Sequence, residues 1–251
     1  MGSATPKQFM MLGEWPLMLH ALRVFERTPS VAEVILVVPQ GERTRALTEV
    51  VERYGVKKVL KVVAGGATRQ ESVSNGLRET DDDTEIVVIH DAVRPFVTED
   101  LIARSIEAAR RDGGAIVAVP MKDTPKRVGP DGRIQRTLDR SGLWLAQTPQ
   151  TFRRELILEA YRQAERDGLR ATDDAALVER LGRNVGIVPG RWDNIKITTP
   201  EEFVIAEAIL AARSGEGGER QVRRPVADER ATGSPEQRAY REKGRRGGMR
   251  A

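Results

Sequence analysis

Short runs of β-branched and other apolar residues alternate along this chain with stretches whose apolar positions recur every three or four residues. That is the pattern of repeated strand–helix–strand units. Val34 to Val38 predicts a strand ended by Pro39, Val59 to Val63 a second closed by Ala64-Gly65-Gly66, and Ala115 to Val119 another, with a short one near Gly186 to Val188. Helices are predicted from about Pro16 to Arg27, Glu42 to Tyr54, Arg69 to Arg78, Thr98 to Arg111, Arg153 to Asp167, Asp173 to Leu181 and Pro200 to Arg213. The run Ile86-Val87-Val88-Ile89 is wholly apolar, as expected of a strand buried on both faces in the middle of a parallel sheet. It stops in charge: His90, Asp91 and Arg94 follow, and Pro95 ends the strand. Ligands of open α/β sheets bind outside the carboxyl ends of the strands, so chemistry is expected at this edge.

From Met121 to Gln147 the pattern changes. Polar and apolar residues alternate on either side of Gly129-Pro130-Asp131-Gly132, which predicts a β-hairpin. An arm of this kind exposes apolar residues and is expected to need a cover, for which a second subunit is one source.

Composition narrows the picture. The 251 residues suffice for one sizeable core, and no internal repeat or linker precedes Ser214. With no cysteine and two histidines, neither a disulfide framework nor a zinc cluster is available, and the composition suits a reducing cytoplasm. No apolar run has the length of a membrane span, so no membrane association is expected. The net charge of +4 invites a nucleic-acid reading, but of the 41 Lys/Arg and 37 Asp/Glu, ten and six lie from Ser214 onward, leaving 31 of each in residues 1–213. The expected domains are therefore a neutral body, 1–213, and a basic, Gly/Arg-rich tail, 214–251. The tail has too few aliphatic residues to offset its ordering entropy. It is expected to be disordered, so nucleic acid is not an expected partner; a nucleic-acid-binding arm is the alternative.

Several residues in the body carry candidate chemistry. Gly65 and Gly66, between a strand and a helix, would let the backbone approach a phosphate or a base beside the free N–H groups of a helix N-terminus; the alternative is a plain chain reversal. Ser72, one turn further, faces the same ligand or solvent. Asp91 suits a magnesium ion or a sugar hydroxyl and Arg94 a phosphate, against the alternative of a structural ion pair. His90 is expected to be a packed, hydrogen-bonded residue rather than a base. Lys7, beside Pro6, and Lys196, between Ile195 and Ile197, are unlike the solvated lysines of a charged helix face and suit phosphate oxygens; a solvated surface is the alternative. Thr137 and Arg154 carry no signal of their own.

Eight stretches, in order, make the chain resemble the 2-C-methyl-D-erythritol 4-phosphate cytidylyltransferases of non-mevalonate isoprenoid synthesis. They are Pro6-Lys7-Gln8-Phe9; Gly65-Gly66 with Arg69 and Ser72-Val73; His90-Asp91-Ala92-Val93-Arg94-Pro95; Asp123-Thr124 with Lys126; Thr137-Leu138-Asp139-Arg140 with Gly142-Leu143-Trp144; Thr148-Pro149-Gln150; Thr172-Asp173-Asp174-Ala175; and Asp193-Asn194-Ile195-Lys196. The tail has no counterpart. The resemblance implies a Rossmann-like nucleotidyltransferase sheet of the nucleotide-diphospho-sugar transferase type, with a hairpin dimerisation arm at about 121–147. It implies a reaction in which the substrate phosphate attacks the α-phosphorus of CTP, with Mg2+ as cofactor and pyrophosphate as leaving group. Lys7, Arg154 and Lys196 would be catalytic. Gly65, Gly66, Arg69 and Ser72 would lie around the nucleotide, Asp91 would serve the magnesium and the polyol, and Arg94 and Thr137 would bind substrate. In a homodimer, Thr137, with Arg94 and Arg154, would act across the interface.

The family pattern also has an apolar strand and a glycine-rich loop just ahead of the segment that here starts at Met1, which suggests an internal methionine read as the start. Without them the sheet is expected to lack its central first strand and the triphosphate its backbone cradle. Ala67 stands where the family has an acidic residue, and a weaker ribose or base contact is expected there. Two alternative functions remain: cytidylyl transfer to another polyol phosphate such as ribitol 5-phosphate, and an inactive nucleotide-binding fragment.

Overall fold

The structure, a computed structural model, describes residues 6–215. Residues 1–212 form one compact unit; the second unit, 213–251, contains the whole of the predicted tail, 214–251, which beyond residue 215 lies outside the described residues. A 3-10 turn (Lys7–Phe9) leads into a small hairpin of β1 (Met11–Leu12) and β2 (Trp15–Pro16), then α1 (Leu17–Arg27) and β3 (Val34–Val38). Next come α2 (Arg43–Arg45), continued as a π-helix over Ala46–Glu52, then β4 (Val59–Ala64), α3 (Arg69–Arg78), β5 (Ile86–Ile89) and α4 (Glu99–Asp112). The second half holds β6 (Gly114–Pro120), β7 (Lys126–Val128), β8 (Ile134–Thr137), β9 (Trp144–Arg153), α5 (Arg154–Arg166), α6 (Asp174–Arg180), β10 (Gly186–Pro189) and α7 (Pro200–Gly215). Among the described residues no helix is long and apolar enough to cross a membrane.

Helix starts follow local chemistry. Thr68, Thr98 and Asp173 each accept a hydrogen bond from the backbone N–H three residues on, satisfying a donor the helix itself cannot pair. The larger sheet has the order β10-β6-β9-β5, with β9 antiparallel to both of its neighbours and β10 parallel to β6. The architecture is thus α/β with a mixed sheet, where the apolar runs predicted a parallel one. β9 was not foreseen, because Gln147, Thr148, Gln150 and Thr151 interrupt the apolar pattern and Pro149 interrupts the strand. All four polar residues are buried. They are tolerated because they are paired: Thr151, for example, donates to Ser105 at 2.9 Å.

β3 and β4 pair in parallel as a separate two-stranded sheet. Arg69, beyond the end of β4, reaches Asp91, beyond the end of β5, at 2.9 Å, so the carboxyl ends of these strands lie close together. Among the described residues neither β3 nor β5 has a second strand partner, and both strands line a cavity of about 750 Å3, with Leu22 and Phe25 of α1 and Val73 and Leu77 of α3 also lining it. Ile86, Val87 and Val88 are in consequence only half-buried, although Ile86 and Val88 pack in one cluster with α4 while Val87 and Ile89 pack in another with α5 and α6. The run opens onto a gap instead of sitting mid-sheet.

The predicted arm is present as β7 and β8, an antiparallel pair with every residue exposed. Gly132 has φ +75, which suits glycine at the reversal. An apolar strand joined ahead of Met1 and long enough to pair with β3 and β5 is expected to bury several apolar side chains. It should raise Tm by on the order of 10 °C in differential scanning calorimetry. An unchanged Tm would mean the gap is not a strand acceptor.

Candidate active site

The carboxyl end of β5 is fixed by one polar loop. Thr148 on β9 accepts the N–H of Asp91 at 3.1 Å and lies 3.0 Å from His90 Nδ1, while His90 Nε2 lies 3.0 Å from the carbonyl of Arg94. A neutral imidazole with its proton on Nε2 satisfies both contacts, donating to Arg94 and accepting from Thr148. Burial favours that neutral form, pushing the His90 pKa down to about 4. His90 is the packed residue its position suggested, and it holds both ends of the turn that presents Asp91.

Asp91, 13% exposed, is ringed by cations. Arg69 Nε donates to Oδ1 at 2.9 Å, Lys196 Nζ lies 2.9 Å from Oδ2, and Arg94 Nε lies 3.9 Å from the same oxygen. Burial alone would raise the Asp91 pKa, but Arg69 and Lys196 outweigh it and hold the carboxyl down at about 2. Arg94 is 11% exposed and donates to the carbonyl of Asn194 at 2.8 Å, while its Nε is buried without a hydrogen-bond partner. Within its own chain Arg94 belongs to this cluster. Arg69 pairs on its far side with Asp174 through Nη1 at 3.1 Å and Nη2 at 2.8 Å.

The two lysines, 189 positions apart in sequence, meet at one segment. Ile197 N–H bonds to Val93 O at 2.9 Å, setting the residues after Asn194 against the Asp91 turn. Lys196 points from it to Asp91, and Lys7 donates to Thr198 O at 2.6 Å. Lys196, 38% exposed, and Lys7, part-buried, offer positive charge to an incoming anion.

The glycine loop differs from expectation. Gly65 N–H donates to Val38 O at 2.7 Å, Gly66 N–H to Ser72 Oγ at 3.1 Å and Ala67 N–H to a Glu71 carboxylate oxygen at 2.8 Å. These amides are consumed internally, so they do not form an anion cradle. The glycines serve close approach: a Cβ on Gly66 would lie 2.3 Å from that of Glu71, and one on Gly65 2.7 Å from Ser72 Oγ. Ser72 also donates to Thr68 O at 2.8 Å, so its hydroxyl fastens the loop.

Two predicted residues do not join the cluster. Arg154 N–H bonds to Glu85 O at the amino end of β5, opposite Asp91, and its guanidinium holds Thr80 and Asp82. Its role within the chain is to anchor that turn. Thr137, on the exposed arm, accepts from Lys126 at 2.8 Å. The residues also do not fit the magnesium expected at Asp91. Both of its oxygens face cations, and among the described residues no group of three or more metal-ligating side chains exists. What sequence reading missed is the far side of Arg69: Asp174 and the residues that hold it. Their signal was present in Thr172-Asp173-Asp174-Ala175, but without a role.

Comparison with known proteins decides the family. The family profile described as 2-C-methyl-D-erythritol 4-phosphate cytidylyltransferase matches residues 1–212. The chain belongs to this family. The 2-C-methyl-D-erythritol 4-phosphate cytidylyltransferase of Syntrophus aciditrophicus is 48% identical over 215 residues, covering 86% of this chain and 92% of that protein. The enzyme of the same name from Geobacter metallireducens is 50% identical over 213 residues, covering 84% and 91%. Among solved structures, the 4-diphosphocytidyl-2C-methyl-D-erythritol synthase of Anaerococcus prevotii superposes with a TM-score of 0.75 at 32% identity, covering 81% of this chain and 93% of that one. The cytidylyltransferase of Thermus thermophilus gives 0.71 at 37%, covering 83% and 96%. Membership makes the chain a nucleotidyltransferase of Rossmann-like fold.

The depressed His90 pKa gives a pH test. The unfolded chain takes the proton first, so the stability this group contributes is full above about pH 6.5 and is lost as pH falls toward 4. Urea unfolding should lose on the order of 2–3 kcal/mol over that window. In His90→Gln the loss should be smaller; an equal loss would mean His90 does not titrate as described.

Proposed function

We propose that this chain transfers the cytidylyl group of CTP to 2-C-methyl-D-erythritol 4-phosphate in the cytoplasm, releasing pyrophosphate and leaving 4-diphosphocytidyl-2-C-methyl-D-erythritol. The observation that carries the reading is the meeting of Lys7 and Lys196 on the one segment 196–198, from which Lys196 reaches Asp91 at the carboxyl end of β5. In this reading a phosphate oxygen of the polyol phosphate attacks the α-phosphorus of CTP, and the bond to pyrophosphate breaks. Such a displacement needs two anions held in line and the growing negative charge offset. Lys7 neutralises charge on the triphosphate, and Lys196 leaves Asp91 for the incoming phosphate. Asp91 and Arg94 then hold the polyol hydroxyls and its phosphate end. The nucleotide lies against the close-packed turn of Gly65 and Gly66. The divalent metal that nucleotidyltransferases use enters as the magnesium complex of CTP, a substrate, rather than as an ion resident on Asp91.

A homodimer is part of the proposal. Val128 and Ile134 on the arm and Trp144 and Leu145 at the start of β9 are exposed apolar residues, a surface that suits a second copy of the chain. Thr137 would approach the partner's site from there.

Pyrophosphate release from magnesium–CTP and 2-C-methyl-D-erythritol 4-phosphate, measured for this chain and for a version extended upstream, tests the reading. Release is expected from the extended form at least, and Lys196→Ala should lower kcat/KM by about 10²-fold. No release from the extended form would overturn it. Preferential turnover of ribitol 5-phosphate would reassign the substrate.

A further inference from the structure

Asp174 is the first residue of α6 and is 0% exposed. An enclosed carboxylate is tolerated only when its charge is paired and its oxygens bonded. Both conditions are met. Arg69 engages its two oxygens through Nη1 and Nη2, Tyr161 on α5 donates to Oδ1 at 2.5 Å, and the N–H of Asp174 donates to Gln150 of β9 at 3.0 Å. Tyr161 stays a donor across the working pH range, since burial and then the Asp174 charge push its phenol pKa well up.

The guanidinium is a rigid plane with its N–H groups in a fixed fork. Seating the Nη edge on Asp174 therefore fixes the direction of Nε–H, which points at Asp91 Oδ1 at 2.9 Å. Asp91 needs this. Its carboxylate lies among Arg69, Arg94 and Lys196, and a side chain with two free torsions has other pairings with the same three cations. Held by Nε on one oxygen, it keeps the other toward Lys196. The groups facing the pair are Arg69 from α3, Arg94 and neutral His90 from the β5 turn, Lys196 from the segment after β10, and Tyr161 and Asp173 beside Asp174.

We infer that Asp174 and Tyr161 are positioning residues for the reaction: they lock the Arg69 fork, and through it the orientation of Asp91, without touching substrate. This rests on the reading of Asp91 as a substrate-binding carboxylate. A purely structural ion pair would stabilise the fold equally well but would not couple to Asp91.

The coupling is measured on the full chain, extended upstream if turnover requires it. In a kinetic cycle, Asp174→Asn is expected to raise KM for the polyol phosphate about tenfold with little change in KM for CTP, and to add nothing when Asp91 is already Asn. Losses that multiply in the Asp91→Asn, Asp174→Asn double variant would overturn the inference. A second measurement needs no substrate. Hydrogen exchange of the Arg69 Nε–H, followed by 15N NMR, is expected to accelerate about tenfold in Asp174→Asn and by less, in the same direction, in Tyr161→Phe. Unchanged exchange in the folded variants would also overturn it. Should Asp174→Asn fail to fold, Tyr161→Phe carries both measurements. An absence of turnover in every form would count against the cytidylyl-transfer reading, while the exchange result would still decide whether Asp174 and Tyr161 hold Arg69.

Discussion

One guanidinium ties the site to the fold. Arg69 stands at the first turn of α3 and is bonded at once to Asp91, beyond β5, and to Asp174, at the start of α6. Burial works against its charge, yet the two carboxylates more than offset this and raise its pKa. The arrangement is self-consistent only as a whole. Without Arg69, a fully enclosed Asp174 would lose its counter-charge, a change of the kind that costs about 3–5 kcal/mol, and Asp91 would lose one of the cations that keep it ionised. The carboxyl edge of the sheet, the helix packing behind it and the charge pattern in front of it thus share one constraint.

Much of the architecture was legible because it rests on short-range rules. Apolar runs marked β3, β4, β5 and β6, three- and four-residue apolar spacing marked the helices between them, and Gly129-Pro130-Asp131-Gly132 marked the reversal between β7 and β8. β9 escaped because its stability comes from partners far along the chain. Gln150 donates to Asp173 at 3.0 Å and accepts the amides of Asp174 and Ala175, and none of these can be read from a local pattern. The mixed sheet follows from that one strand.

The site divides in the same way. Asp91 was visible because charge follows an apolar run abruptly, and the two lysines because their flanking residues are unlike those of a solvated surface. Asp174 was invisible as a partner, because a carboxylate near a helix start ordinarily signals a cap, and here Asp173 takes the cap while Asp174 turns inward. Arg154 carried no local signal; within its own chain it bonds Thr80 and Asp82 at the opposite end of β5, and the role across an interface implied by resemblance is one that a single chain does not display. The glycine loop was placed correctly between β4 and α3; that α3 itself uses the loop's amides could not be read from the sequence.

The break between β3 and β5 has a consequence for ligand affinity. Among the described residues no backbone ladder joins the two sheets there, so cohesion between them across this seam rests on side chains and helices. Lys7 sits on a turn whose Phe9 packs with Leu36 and Val38 of β3, and Asp91 belongs to the other sheet's edge. A ligand that touches both sides would act as a staple, and part of its binding free energy would go into holding the halves together. Affinity and folding stability in this chain are therefore thermodynamically linked, each rising when the other is supplied.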